Sequence, residues 1–228
     1  MTQQLRTLTF VFAAAISLCM PSKAATQKNA LTLEEDTVPL LRGISVSYDV
    51  AGTIMRMVSD YGQYEAALRV NLKDKFFPVL ELGLGDAKHN TDPVTGLSCK
   101  TNAPYGRIGC DMNVAKNKHD DYKVFIGARY AFTSFKQEAY GTVSDSYWGG
   151  TSYYDASTSS SCNYHWTELL FGVDAKVCGP LHLGWSFRYK VKIHSSDVGS
   201  NKLWYVPGYG KDGNVLGGTF NVTLQLGK

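Results

Sequence analysis

The chain has little of what a soluble enzyme is built around. Its five histidines, His89, His119, His165, His182 and His194, fall at no metal-ligand spacing, and it holds no nucleophile elbow, phosphate loop or zinc motif. Motifs therefore name no catalytic residue, no metal ligand and no cofactor. Net charge is scarce too. There are 23 Lys and Arg against 20 Asp and Glu, and setting aside Arg6 and Lys23 of the first 24 residues leaves 21 against 20. Without a basic surplus there is no field to draw in nucleic acid. After Met20 no apolar run approaches the roughly 20 residues that a spanning helix needs. Only strands could carry the mature chain through a membrane.

The one long apolar run, Thr7–Met20 (TLTFVFAAAISLCM), follows Arg6 and precedes PSKAA. Basic, apolar and small-residue parts in that order fit a secretory signal peptide over residues 1–24, cleaved after Ala24 or Ala25. Ile16-Ser17-Leu18-Cys19 approaches a lipoprotein signal, but Leu18 is larger than that processing accepts before its Cys. Residues 25–40 lack periodicity and read as a flexible leader. Residues 41–228 remain for one domain.

What the chain does have is 22 glycines, 12% aromatic residues and a strand-like alternation repeated eight times. The runs are 43–50, 62–73, 76–85, 104–114, 121–135, 164–177, 181–193 and 215–227. Their connections alternate between tight turns, at Asp74-Lys75, 115–120 and Cys178-Gly179-Pro180, and longer loops, at 87–103, 136–163 and 194–214, with about ten residues after the first run. An even strand number, short turns at one end and long loops at the other predict an all-β fold, an eight-stranded antiparallel up-and-down transmembrane β-barrel.

Every run splits into two faces. In KVFIGARYAFTSF (123–135) the even positions from Val124 to Phe132 are apolar, and the odd ones include Lys123, Gly127, Arg129 and Thr133. A soluble lipocalin-like carrier would turn the apolar face inward around a ligand. The glycines argue against that: a face looking at water has no reason to forgo side chains, whereas a narrow barrel interior needs tiny residues beside each arginine. Tyr48, Tyr64, Tyr105, Tyr122, Tyr130, Phe132, Trp166, Trp185 and Tyr189 lie toward strand ends, as interfacial girdles would.

With the polar face inward, Arg129 needs compensation, because an unpaired charge away from bulk water is costly. The same face supplies Glu65, Glu81, Asp111, Glu168 and Asp174 against Arg69, Arg107, Arg129, Arg188 and Lys190. These ten are expected to form an interior ion-pair core, a filled plug and not a selectivity filter. Counting across the tight turns places Arg69 opposite Glu81 and Glu168 opposite Lys190, which predicts two cross-strand ion pairs.

VNLKDKFFPVLELGLG (70–85), APYGRIGCDMN (103–113), FIGARYAFTSFK (125–136) and Trp148-Gly149-Gly150 resemble a family of small outer-membrane β-barrel proteins of unknown function from Bacteroidota. The resemblance extends from about Leu40 to the end. It implies the fold and an outer-membrane location in a Gram-negative cell, and it carries over no catalytic residue. One departure is the ending Leu224-Gln225-Leu226-Gly227-Lys228, where such barrels commonly finish on an aromatic.

Cys99 and Cys162 fall in the second and third outer loops of this plan, and in an oxidising compartment a disulfide between them is one of two readings, the other being thiols. His194-Ser195-Ser196-Asp197 lies at an outer rim, where lipid-modifying barrel enzymes keep a His and a Ser. Three such residue types are ordinary in a polar loop. The third and fourth loops hold Trp148, Tyr153, Tyr154, Trp204 and Tyr205, residues suited to surface recognition of a glycan, lipopolysaccharide or a protein. The sequence thus points first to a monomeric structural or surface-interaction barrel bathed in outer-membrane lipid. A lipid-modifying enzyme comes second and a small hydrophobic-ligand conduit or carrier third.

Overall fold

The structure is a computed structural model, and it describes residues 39–89, 97–145, 152–155, 158–196, 203–211 and 213–226. The expected signal peptide and all but the last two residues of the leader lie outside the described residues. Each of the eight alternating runs is a strand: β1 (Leu41–Asp49), β2 (Tyr61–Leu72), β3 (Phe76–His89), β4 (Leu97–Asn113), β5 (Tyr122–Asp145), β7 (Thr158–Cys178), β8 (Leu181–Ser195) and β11 (Leu216–Leu226). Short strands β6 (Ser152–Asp155), β9 (Tyr205–Val206) and β10 (Gly210–Lys211) lie in the third and fourth long connections. Each long strand pairs antiparallel with its chain neighbour, β4 pairs β5, and β1 pairs β11, so the sheet closes on itself as an eight-stranded barrel. Closure gives each of the eight long strands a partner on both sides in the barrel wall.

The faces sort by polarity as alternation requires. Ile44, Val46, Leu80, Leu82, Leu84, Ile126, Phe171, Trp185, Phe187 and Leu224 are exposed on the outer wall. On the inner wall Arg107 and Arg129 are each 2% exposed and Glu168 is 1% exposed. A soluble carrier with an apolar interior requires the opposite arrangement of the two faces. Two of the aromatics assigned to a girdle also move: Tyr105 and Trp166 are buried inside, because they share the parity of Arg107 and Glu168 on their strands.

Two connections depart from simple loops. The first holds a helix, α1 (Val50–Val58), whose N-terminal amides of Ala51 and Gly52 donate to the Asp49 carboxylate at 3.1 and 3.2 Å, the usual capping arrangement. Arg56 of α1 is anchored to Asp86 at 2.7 Å. The second is the β2–β3 turn. Lys73 and Asp74 both have φ of 54°, the double left-handed geometry of a tight hairpin. Its pivot is one residue earlier than the expected Asp74-Lys75. Arg69 therefore pairs in register with Val79, and Glu81 with Ala67, which corrects the Arg69–Glu81 pairing.

The Cys99–Cys162 link is also corrected. Cys99 is level with Ala139 and Cys162 with Phe135, on opposite sides of β5. Two strand spacings of about 4.8 Å and a four-residue offset of about 13 Å separate them. A disulfide requires Cα atoms within about 7 Å.

Candidate functional site

Strand parity brings eight charged side chains into the middle of the barrel. Four carboxylates, Glu65, Glu81, Asp111 and Glu168, meet four guanidinium groups, Arg69, Arg107, Arg129 and Arg188. Glu81 receives Arg188 Nη1 at 2.7 Å, Arg129 Nε at 3.1 Å and Arg107 Nη1 at 3.2 Å. Asp111 takes Arg129 in a two-pronged contact, at 2.7 Å from Nη1 and 2.9 Å from Nη2, and Arg69 at 3.2 Å. Glu168 pairs with Arg107 Nε at 3.1 Å and Arg188 at 3.2 Å, and accepts a 2.6 Å hydrogen bond from the Trp166 indole. Glu65 holds Arg107, Arg188 at 3.2 Å and the Tyr105 hydroxyl at 2.6 Å. Formal charge within this set is zero, the condition under which so many ions can be buried together.

The remaining two of the ten expected core residues are placed differently. Glu168 and Lys190 are opposite in register, yet Lys190 Nζ donates to the Tyr209 carbonyl at 2.6 Å. Asp174 sits below the network and meets His182 Nδ1 at 2.7 Å. An apolar layer of Phe77, Phe125 and Leu170 lies beside Arg69, whose guanidinium rests 4.8 Å from the centre of the Phe125 ring. A cavity of about 30 Å³ beside Asp49, Arg69 and Arg188 is room for little beyond ordered water.

Above the network the barrel is stoppered by its own fourth long connection. Tyr205, Val206 and Tyr209 are buried, and Val206 and Tyr209 pack with Ala103, Tyr105, Ala131, Phe135, Tyr164 and Trp166. Interior cations hold this segment by its backbone: Arg107 Nη2 donates to the Gly208 carbonyl at 2.7 Å and Lys190 to that of Tyr209. The Tyr205 hydroxyl donates to the Gly62 carbonyl at 3.0 Å. The Tyr105 ring lies between Gly83 and Gly208. A Cβ at Gly83 would strike it, and one at Gly208, where φ is +79°, would come within 2.6 Å.

Tyr205 is thus a stopper residue and not a surface recognition residue, at 2% exposure. Trp204 is half-buried, stacked on His89 with ring centres 4.7 Å apart. Tyr153 and Tyr154 lie on β6, paired with Ser144 and Val143. Trp148 lies outside the described residues. At the outer rim Ser196 accepts a hydrogen bond from the Asn163 amide at 2.8 Å, and the His194 ring faces His165. Asp197 is outside the described residues.

At the short-turn end a recess of about 330 Å³ is lined by Arg42, Asp74, His119, Lys123, Lys176 and His182. Burial would push the Asp74 carboxyl up, but hydrogen bonds from Asn71 and His119 and the charge of Arg42 together hold it below the usual carboxylate range.

Residues 7–226 match the sequence profile of a family described as Domain of unknown function (DUF6048). No curated protein matches. Among solved structures, Neisserial surface protein A (NspA) is similar at 12% identity with a TM-score of 0.32, over 82% of this chain and 96% of that one.

Proposed function

The chain belongs to the DUF6048 family, whose description assigns no role, and we propose that it is a small integral outer-membrane barrel of a Gram-negative cell that acts through its outer rim and not through its interior. The observation that carries this is the inverted polarity of the closed sheet. Leucine, isoleucine, phenylalanine and tryptophan side chains cover the outer wall while four ion-paired arginines fill the inside. An apolar surface running around a whole barrel is far larger than the few hundred Å² that a soluble monomer tolerates, and acyl chains are the solvent that suits it. The stopper and the neutral charge network fill the described interior, which supports a structural or surface-interaction role over a conduit. Partners at the long-loop end are then outer-leaflet lipid and a glycan, lipopolysaccharide or protein met by the third loop, with Tyr153 and Tyr154 in it.

The test is extraction from isolated outer membranes followed by gel electrophoresis with and without boiling. Folded barrel is expected to shift mobility on heating and to give no step conductance in a planar bilayer. Release from the cells in soluble form would refute the membrane reading. Stable conductance steps would refute the filled interior.

A further inference from the structure

On the outer wall near the long-loop end, His165 of β7 and His194 of β8 stand directly opposite each other, with ring centres 6.2 Å apart. Regular pairing would not produce this. Trp166 pairs with Lys192, so the next partner of His165 should be Ile193. A bulge at this step skips Ile193 and turns His194 onto the face that His165 occupies. Bulges re-aim side chains and collect beside functional sites.

His165 is held from its other side. The Tyr130 hydroxyl lies 2.8 Å from its Nδ1, which fixes the ring and leaves Nε2 as the available nitrogen. Metal-bound imidazoles are oriented in this way by a partner on the second nitrogen. His194 is exposed and can turn.

We propose that His165 and His194 form a two-nitrogen site for a divalent transition-metal ion such as Zn²⁺ or Cu²⁺, with water completing the coordination. With a metal–nitrogen distance of about 2.1 Å, and roughly 1 Å more to each ring centre, two imidazoles on one tetrahedral ion stand about 5 Å apart. The observed separation needs about 1 Å of closure, within the reach of a rotation of the exposed His194. Among the described residues, the outward neighbours Phe132, Tyr130, Thr167 and Val191 offer no carboxylate. Such a donor set suits Zn²⁺, Cu²⁺ or Ni²⁺ and gives Ca²⁺ and Mg²⁺ nothing to hold.

The experiment uses the full chain folded in detergent, titrated with Zn²⁺ by calorimetry and loaded with one equivalent of Cu²⁺ for electron paramagnetic resonance. One saturable ion per chain and a two-nitrogen Cu²⁺ signature are expected. His165→Asn and His194→Asn should each weaken binding at least about tenfold, and Tyr130→Phe should weaken it within the 10–100-fold range of second-layer partners while keeping the stoichiometry. Heat-modifiable mobility establishes that each variant is folded. Binding in the double variant equal to that of the parent, or a signal with fewer than two nitrogens in the parent, would overturn the assignment.

Discussion

Replacing Glu81 with glutamine would leave three guanidinium groups converging on a neutral amide. Arg188, Arg129 and Arg107 stand 2.7, 3.1 and 3.2 Å from its carboxylate oxygens, and Glu81 is 2% exposed. Removing one partner from a buried ion pair costs about 3–5 kcal/mol, because the remaining charge is left uncompensated. Each arginine keeps a second carboxylate here, Glu65 and Glu168 for Arg188, Asp111 for Arg129, and Glu65 and Glu168 for Arg107. The loss should therefore fall near the lower bound, about 3 kcal/mol, or more than a hundredfold in the unfolding equilibrium. Denaturant titration in detergent, followed by the fluorescence of the buried Trp166, measures it. Arg188→Gln restores the charge balance, so the double variant should be more stable than the sum of the single losses predicts, by about 1–3 kcal/mol of coupling. A Glu81→Gln loss below about 1 kcal/mol, or strict additivity with Arg188→Gln, would show that ion pairing does not hold the interior together.

Gly208→Val should expel the stopper, since it combines a left-handed backbone with a clash against the Tyr105 ring; faster protease cleavage within 203–211 than in the parent is the readout. Gly83→Val should press on the same ring from below and cost about 1–3 kcal/mol of overpacking in the denaturant titration, while leaving the mobility shift on heating intact. Asp74 has a folded carboxyl held below its ordinary value, so its contribution is complete above about pH 4 and fades as pH falls through the lowered value. Asp74→Asn should consequently cost about 1 kcal/mol at neutral pH, a figure discounted because Arg42 and His119 are partly solvated, and the gap to the parent should close in acid. A gap that widened in acid would contradict the sign.

The barrel was legible because alternation is a property of single strands, readable without knowing their partners. Arg129 and Glu81 declare the inner face wherever they occur. Register was less accessible: the β2–β3 pivot is set by Lys73 and Asp74 adopting positive φ, and neither carries the Asn-Gly signature that would announce it. A shift of one residue in the pivot moves the partner of Arg69 by two. The inward aromatics were misread because a tyrosine near a strand end suits both a girdle and a core, although the shared parity of Tyr105 with Arg107, and of Trp166 with Glu168, carried the answer. The stopper had no periodicity to reveal it. Its trace in the sequence is indirect: Gly83 and Gly85 leave hollows in β3 that Tyr105 and Pro207 fill.

The closing seam of the barrel, β1 against β11, takes no part in the arginine and glutamate network, whose members all come from β2 through β8. Apart from Asp49, which caps α1, the inward residues at the seam are Ser45, Ser47, Thr219, Asn221, Thr223 and Gln225. During assembly, then, the costly neutralisation of buried ions can be finished on an open, curling sheet. The meeting of the first and last strands then dehydrates hydroxyl and amide groups and a single carboxylate, that of Asp49, which the amides of Ala51, Gly52 and Phe220 solvate, and this makes the last zip of the cylinder an inexpensive one.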